Sequence, residues 1–272
     1  MRNKIQICIQ SVLIILVLNS CEKATDFYLG FPWQPEILEN TFVDGLNIFG
    51  LLQPADSADN SRSFVYVQRN WPALEYTDES FTIIKNVDIR IIQKENDNVI
   101  DTIYFPLMPS DSLYSDTLYR PGQFFSPIPG NTYQIFCDHP DVPTAIGETR
   151  FPHEPQLAPN SLVISEGRVE FEIAPDEGIK MIDIYVLSEE LTGIIGRYVT
   201  NDTASIKIDL SIPGSGSADI DIYGYDANLA AYYANSNTSL NFNKYRTTFS
   251  TMEEGFGVFG SLNSMQLRID LP

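Results

Sequence analysis

Three cysteines and two histidines are the most reactive side chains of this 272-residue sequence, and their neighbours separate them sharply. Cys21 closes the run Leu18-Asn19-Ser20-Cys21, at the end of an apolar segment from Ile5 to Leu18 that opens behind Arg2 and Lys4. A basic start, no acidic residue, a greasy stretch and a small residue before a cysteine form a cleavable secretory signal over residues 1–20, which leaves the Cys21 thiol at the new amino terminus. Cys8 departs with that signal, which leaves Cys21 at the new amino terminus and Cys137 as the one cysteine beyond it. Cys137 alternates with Tyr133 and Ile135 in Thr132-Tyr-Gln-Ile-Phe-Cys137, the pattern of a small hydrophobe on the inner face of a strand. A cysteine nucleophile also needs a base within reach. His139 and His153 lie in Asp138-His-Pro140 and Pro152-His-Glu-Pro155, which read as turns or linker. No catalytic residue is expected, and the chain does not read as an enzyme.

A retained membrane span is the alternative for residues 5–18, but crossing a bilayer takes roughly 20 apolar residues. Gln6, Gln10 and Ser11 also interrupt the segment. Asn19 and Ser20 fit an ordinary A-x-A cleavage site poorly. The site resembles the lipobox of bacterial lipoproteins, in the looser form familiar in Bacteroidota. That resemblance implies a diacylglycerol on Cys21 and acylation of the new amino terminus. Each buried methylene contributes about 0.8 kcal/mol, and two or more chains hold where one is only marginal. Glu22 is not the aspartate that retains enterobacterial lipoproteins at the inner membrane, so the outer membrane is the expected address. Glu22-Lys23 is too short to choose between the cell surface and the periplasmic leaflet.

With Arg2 and Lys4 removed, the 17 basic side chains fall to 15 against 36 acidic ones, and the formal charge moves from −19 to −21. That balance excludes nucleic-acid binding through a basic patch, because such binding works through Lys and Arg on phosphate. It likewise argues against an anionic membrane face held by a basic patch, so the lipid anchor is the expected route to the membrane. An acidic surface of this kind resists association.

The elements that must position any site are short strands. Leu46–Leu52, Phe64–Gln68, Val87–Ile92, Val99–Phe105, Thr132–Cys137 and Ala145–Phe151 are runs with period-2 character. Glu95-Asn-Asp-Asn98 joins two of them as a hairpin turn. A second series covers Val169–Ile173, Ile182–Leu187, Ile206–Leu210, Ile220–Tyr225, Phe256–Leu262 and Met265–Ile269. Strands at such spacing, with turn signals between them, predict an all-β chain of two antiparallel sandwiches in tandem, immunoglobulin- or fibronectin-III-like. Ile128-Pro-Gly-Asn-Thr-Tyr133 resembles the tyrosine corner of those domains, and an aromatic core residue is the plainer alternative. Ile212-Pro-Gly214 echoes Ile128-Pro-Gly130. The expected organisation is a signal over 1–20, a lipidated tether over 21–39, and sandwiches over 40–152 and 153–272. Pro152, Pro155 and Pro159 mark the junction. Phe27, Tyr28, Phe31 and Trp33 in the tether suit packing on the first sandwich, the membrane interface or a partner.

The exception to the strand pattern is the stretch 226–250, rich in Asn, Ser and Tyr, in which only Ala227–Ala234 could form a helix. Loops of this length commonly carry function. Tyr225, Tyr232, Tyr233 and Tyr245, with Asn228, Asn235, Asn237 and Asn241, offer stacking faces and amide hydrogen bonds to a glycan or peptide ligand, or else cap the open end of a sandwich. Asp56, Asp59, Asn60, Asp111 and Asp116 lack the spacing of a calcium loop. No phosphate loop, catalytic triad or zinc spacing is present, so neither metal nor cofactor is expected. Five triplets of the form Asp-Ser/Thr-aliphatic recur around Ser57, Thr102, Ser112, Thr117 and Thr203. They resemble the O-glycosylation acceptors of Bacteroidota, and composition alone would give about one or two.

The C-terminal segment Phe249-Ser-Thr-Met-Glu-Glu-Gly255-Phe-Gly257-Val-Phe259-Gly260-Ser completes a wider likeness, together with the lipobox, Tyr119-Arg-Pro-Gly122 and Pro129-Gly-Asn-Thr-Tyr133. It is similar to Bacteroidota lipoproteins of unknown function that are often encoded beside a TonB-dependent receptor. The resemblance implies an accessory role in nutrient capture or uptake with such a receptor as partner, and it carries no catalytic residues. A surface adhesin or structural subunit is the alternative function. Gly255, Gly257 and Gly260 suggest a strand that bends or admits another backbone closely.

Overall fold

The computed structural model describes residues 44–55, 62–69, 84–108, 118–165, 167–200, 203–235 and 250–271. Cys21 and the tether lie outside them, as do Ser57, Ser112, Thr117, Asn237, Asn241 and Tyr245 and the acidic residues at 56, 59, 111 and 116.

The protein is all-β and folds as a β-sandwich, antiparallel apart from one parallel pair. The first half contains β1 (Leu46–Leu52), β2 (Phe64–Arg69), β3 (Asp88–Glu95), β4 (Asn98–Tyr104), β5 (Leu107–Met108), β6 (Leu118–Tyr119), β7 (Thr132–His139) and β8 (Val142–Arg150). The second contains β9 (Val163–Ser165), β10 (Arg168–Ile173), β11 (Met181–Leu187), β12 (Thr192–Val199), β13 (Ile206–Ser211) and β14 (Gly216–Tyr225). A helix, α1 (Ala227–Asn235), follows, and the chain ends in β15 (Met252–Glu253) and β16 (Phe256–Leu271).

Three sheets result. One is eight-stranded in the order β12-β11-β14-β16-β1-β2-β6-β5, one is five-stranded (β15-β8-β7-β3-β4) and one is three-stranded (β13-β10-β9). Period-2 alternation explains the layering. Leu46, Ile48 and Leu52 of β1 point inward with Val65 and Val67 of β2, and meet Ile89, Ile91, Tyr133, Ile135, Cys137 and Ala145 of the five-stranded sheet. A second core gathers Ile182, Ile184, Val186, Ile220 and Ile222 of the long sheet against Val169, Phe171, Ile208 and Leu210 of the three-stranded one.

One strand belongs to both cores. The C-terminal run is continuous for 16 residues, where the sequence suggests two strands broken near Asn263. Its first part pairs in parallel with β1, from Asn47 beside Phe256 to Leu52 beside Ser261, and its last ten residues pair with β14. Met252 and Phe259, which fall in the second half of the sequence, consequently pack in the first core, while Ile269 and Leu271 pack in the second. The glycines of the C-terminal motif make this possible. Gly257 has φ +97°, and a Cβ there would stand 2.0 Å from the carbonyl oxygen of Ile48. Only glycine lets β16 lie against β1 at that point.

The proline-rich stretch from Phe151 to Pro159 is packed against the long sheet. Pro152 and Pro155 are buried. The Asn263 side-chain amide donates to the Pro152 carbonyl at 3.1 Å, and the Ser261 hydroxyl donates to that of Arg150 at 3.2 Å. In the hairpin of β3 and β4, Asn96 and Asp97 both take positive φ, the geometry of a two-residue turn that matches strand twist. The Ile128 amide donates to the hydroxyl of Tyr133, a fully buried core residue, at 2.7 Å, and burial pushes that hydroxyl up to about 12. β12 escapes a periodicity reading because Gly193 and Gly196 dilute its pattern and Ile195 bulges out of register.

Candidate functional site

The first part of α1 and the residue before it form a clamp. Asp226 is buried and caps the helix, accepting from the Leu229 amide at 2.9 Å and from the Thr149 hydroxyl of β8, while its own amide donates to the Ser261 carbonyl of β16 at 3.0 Å. An aspartate preceding the first helical residue is suited to this role. The Asn228 side-chain amide donates to the carbonyls of Glu148 and Phe259, at 2.7 and 2.8 Å, and so joins the five-stranded sheet to the long one. Desolvation pushes the Asp226 carboxyl up to about 6, against the opposing pull of its hydrogen-bond donors. These contacts tie Asp226 and Asn228 to both sheets, while residues 236–249 lie outside the described ones.

Beyond the clamp, α1 lies on the outer face of the long sheet. Leu229, Ala230, Tyr232 and Tyr233 pack there with Phe49, Leu51, Met181, Tyr223, Tyr225, Val258 and Leu262. Gly260 leaves the space: a Cβ on it would approach the Leu229 side chain to 2.6 Å. Tyr232 sits edge-on to Phe49 at 5.9 Å and to Tyr233 at 5.7 Å, and Tyr233 sits edge-on to Tyr225 at 5.6 Å. Such arrangements place a positive ring edge on a negative ring face. The Arg197 guanidinium lies over the Tyr233 ring at 5.0 Å.

Arg197 is held from beneath by Asp183, a fully buried carboxylate on β11. Two parallel bonds of 2.7 Å join them, and the Tyr225 hydroxyl donates to the same carboxylate at 3.1 Å. Burial foremost, and the nearby Asp183 charge, push the Tyr225 hydroxyl well above the ordinary tyrosine range. The bond to Asp183 pushes Arg197 up as well.

Strand register extends this face. Asp183 pairs with Tyr223 and Tyr185 with Asp221 across β11 and β14, and Asp221 and Tyr223 pair with Gln266 and Ser264 of β16. Tyr185, Tyr223, Asp221, Ser264 and Gln266 therefore share one side of the sheet, beside the helix. Gln266 donates to Asp221 at 3.0 Å.

Of the residues singled out for ligand binding, the fold brings Tyr225, Tyr232 and Tyr233 together. Asn235 ends α1. Asp183, Arg197, Tyr185 and Tyr223 were not singled out. The signal for three of them is visible in Asp183-Ile-Tyr185 and in Asp219-Ile-Asp221-Ile-Tyr223-Gly-Tyr225, where every second residue is polar or aromatic. Arg197 lies on the strand that the periodicity misses.

Cys137 is fully buried in the first core, and desolvation pushes its thiol far above its ordinary range. His139 accepts from the Asp141 amide through Nδ1 at 3.2 Å, and His153 meets Asp176 at 3.2 Å. Thr102 is half-buried on β4 and Thr203 is exposed. Among the described residues, no group of three or more His, Cys, Asp or Glu is placed to hold a metal ion. No family model matches the chain, and no curated protein matches it.

Proposed function

We propose that the chain is a lipid-anchored accessory protein of the outer membrane that assists a TonB-dependent receptor in capturing or admitting a nutrient. The observation that carries this reading is Leu18-Asn-Ser-Cys21 behind Arg2, Lys4 and an unbroken acid-free apolar run. The resemblance of the C-terminal glycine motif to receptor-linked lipoproteins supplies the partner. The two halves are read as immunoglobulin- or fibronectin-III-like, a reading supported by the corner contact between Tyr133 and Ile128.

The test is Cys21→Ala with labelled fatty acid and membrane fractionation, followed by co-purification from native outer membrane. Loss of label and release from the membrane, with a receptor subunit recovered alongside the wild-type protein, is the expected result. An unlabelled wild-type protein overturns the anchor. A labelled protein that recovers no receptor and instead polymerises or binds cells favours the adhesin or structural alternative.

A further inference from the structure

Partner strands commonly add to sheet edges, but each edge among the described residues is poorly suited to that. β5 and β15 have two residues and β9 three. β4 and β12 each carry a bulge, at Ile100 and Ile195. β13 is a charged edge, with Lys207 and Asp209 in ion pairs to Glu170 and Arg168. Short, bulged and charged edges are the ways by which sheets avoid strand addition. The faces remain. On the outer five-stranded face the Phe136 ring is already covered by Arg90, at 4.9 Å, and Lys94 pairs with Glu148. Ion pairs occupy the outer three-stranded face.

The outer face of the second half of the long sheet differs, because its rings lie among hydrogen-bonding groups. Tyr185 and Tyr223 sit on the diagonal between β11 and β14, with Asp221 opposite the first and Ser264 opposite the second. Diagonal neighbours are about 7 to 8 Å apart, close enough for both rings to meet one extended ligand. Asp221 is oriented by Gln266 on one oxygen and approached by the Tyr223 hydroxyl on the other at 3.5 Å, which leaves lone pairs for incoming hydroxyl donors. Half-buried tyrosines flanked by an oriented carboxylate, an amide and a hydroxyl complement a molecule with apolar ring faces and polar rims. Charge narrows the class. The formal charge of −19 on the whole chain repels anionic polymers, while on this face Asp219 is offset by Arg268 at 3.9 Å.

We propose that this face binds a neutral oligosaccharide, stacked on Tyr185 and Tyr223 and hydrogen-bonded by Asp221, Ser264 and Gln266. The inference names the nutrient class for the capture role proposed above and rests on that reading. α1 forms the border of the site through Tyr233, held by Arg197.

Calorimetric titration of the full lipidated protein in detergent tests it, with maltohexaose, cellohexaose and mannohexaose as neutral probes and a lysine-containing hexapeptide and polygalacturonate as controls. Binding of at least one neutral hexasaccharide is expected, weakened about tenfold or more by Tyr185→Ala and by Gln266→Ala at unchanged melting temperature. Tyr223→Ala serves as a third variant. Absence of binding across the neutral panel, equal affinity in all variants, or preference for the peptide or the anionic polymer overturns the proposal. Sugar binding without receptor co-purification removes the receptor role and leaves this site standing. A recovered receptor without sugar binding does the reverse.

Discussion

Phe259 of β16 lies directly over the α-carbon of Gly50 on β1: a methyl group at Gly50 would stand 2.7 Å from the ring. Gly147 of β8 faces the same residue from the five-stranded sheet, where a Cβ would meet the Phe259 Cβ at 3.1 Å. Phe259 is fully buried between two glycines, one from each sheet of the first core. The C-terminal motif therefore closes a core whose other strands come from the first half of the sequence.

Gly257→Ala is expected to destabilise the protein by about 3 kcal/mol, because it combines a positive φ with a clash against the Ile48 carbonyl. Chemical denaturation checks this. A variant as stable as the parent would mean that β1 and β16 do not approach so closely.

Arg197→Ala leaves the Asp183 carboxylate buried with the Tyr225 hydroxyl as its remaining side-chain donor. Uncompensated buried charge typically costs about 3 kcal/mol or more. Arg197→Lys should not restore the loss, since an ammonium cannot make the two parallel bonds. Replacing both Asp183 and Arg197 by leucine should cost less than the single Arg197→Ala change, as measured by the same denaturation curves.

Asp226 links stability to pH. Its carboxyl is raised from the ordinary 3.8 to about 6, so the folded state holds this proton more tightly than the unfolded chain does. The stability it contributes is complete below the unfolded value and is lost as pH rises through about 6. The stability of the parent relative to Asp226→Asn should accordingly fall by about 1 to 2 kcal/mol between pH 5 and pH 7.5. A difference independent of pH would show that Asp226 is not desolvated. Asparagine keeps the capping oxygen, so helix content by circular dichroism should hold.

Tyr133→Phe removes the acceptor of the Ile128 amide and should cost about 1 kcal/mol, without the larger loss expected of a core truncation. Tyr133→Leu, which also empties ring volume from the first core, should cost more. Equal stability of parent and Tyr133→Phe would reduce Tyr133 to a packing residue.

Strand existence was legible from sequence because alternation reports which residues face a core, and inward residues such as Ile89, Ile91, Ile220 and Ile222 alternate cleanly. The hairpin at Asn96-Asp97 and the inert burial of Cys137 follow from equally local rules. So does the helix expected over Ala227–Ala234, since its hydrogen bonds join neighbours within one turn.

What the chain pairs with was decided elsewhere. Nothing local in Phe256 to Leu271 reveals that its start lies parallel to β1 and its end antiparallel to β14, because register is set by cores that form only when distant strands meet. The same holds for the outer face. Tyr185, Tyr223 and Gln266 each read as ordinary solvent-side residues of separate strands, and only the order β11-β14-β16 places them side by side. The sequence by itself determined the period of each strand, a property of single segments. Tertiary structure decided which side chains share a surface, because that depends on strand order and register.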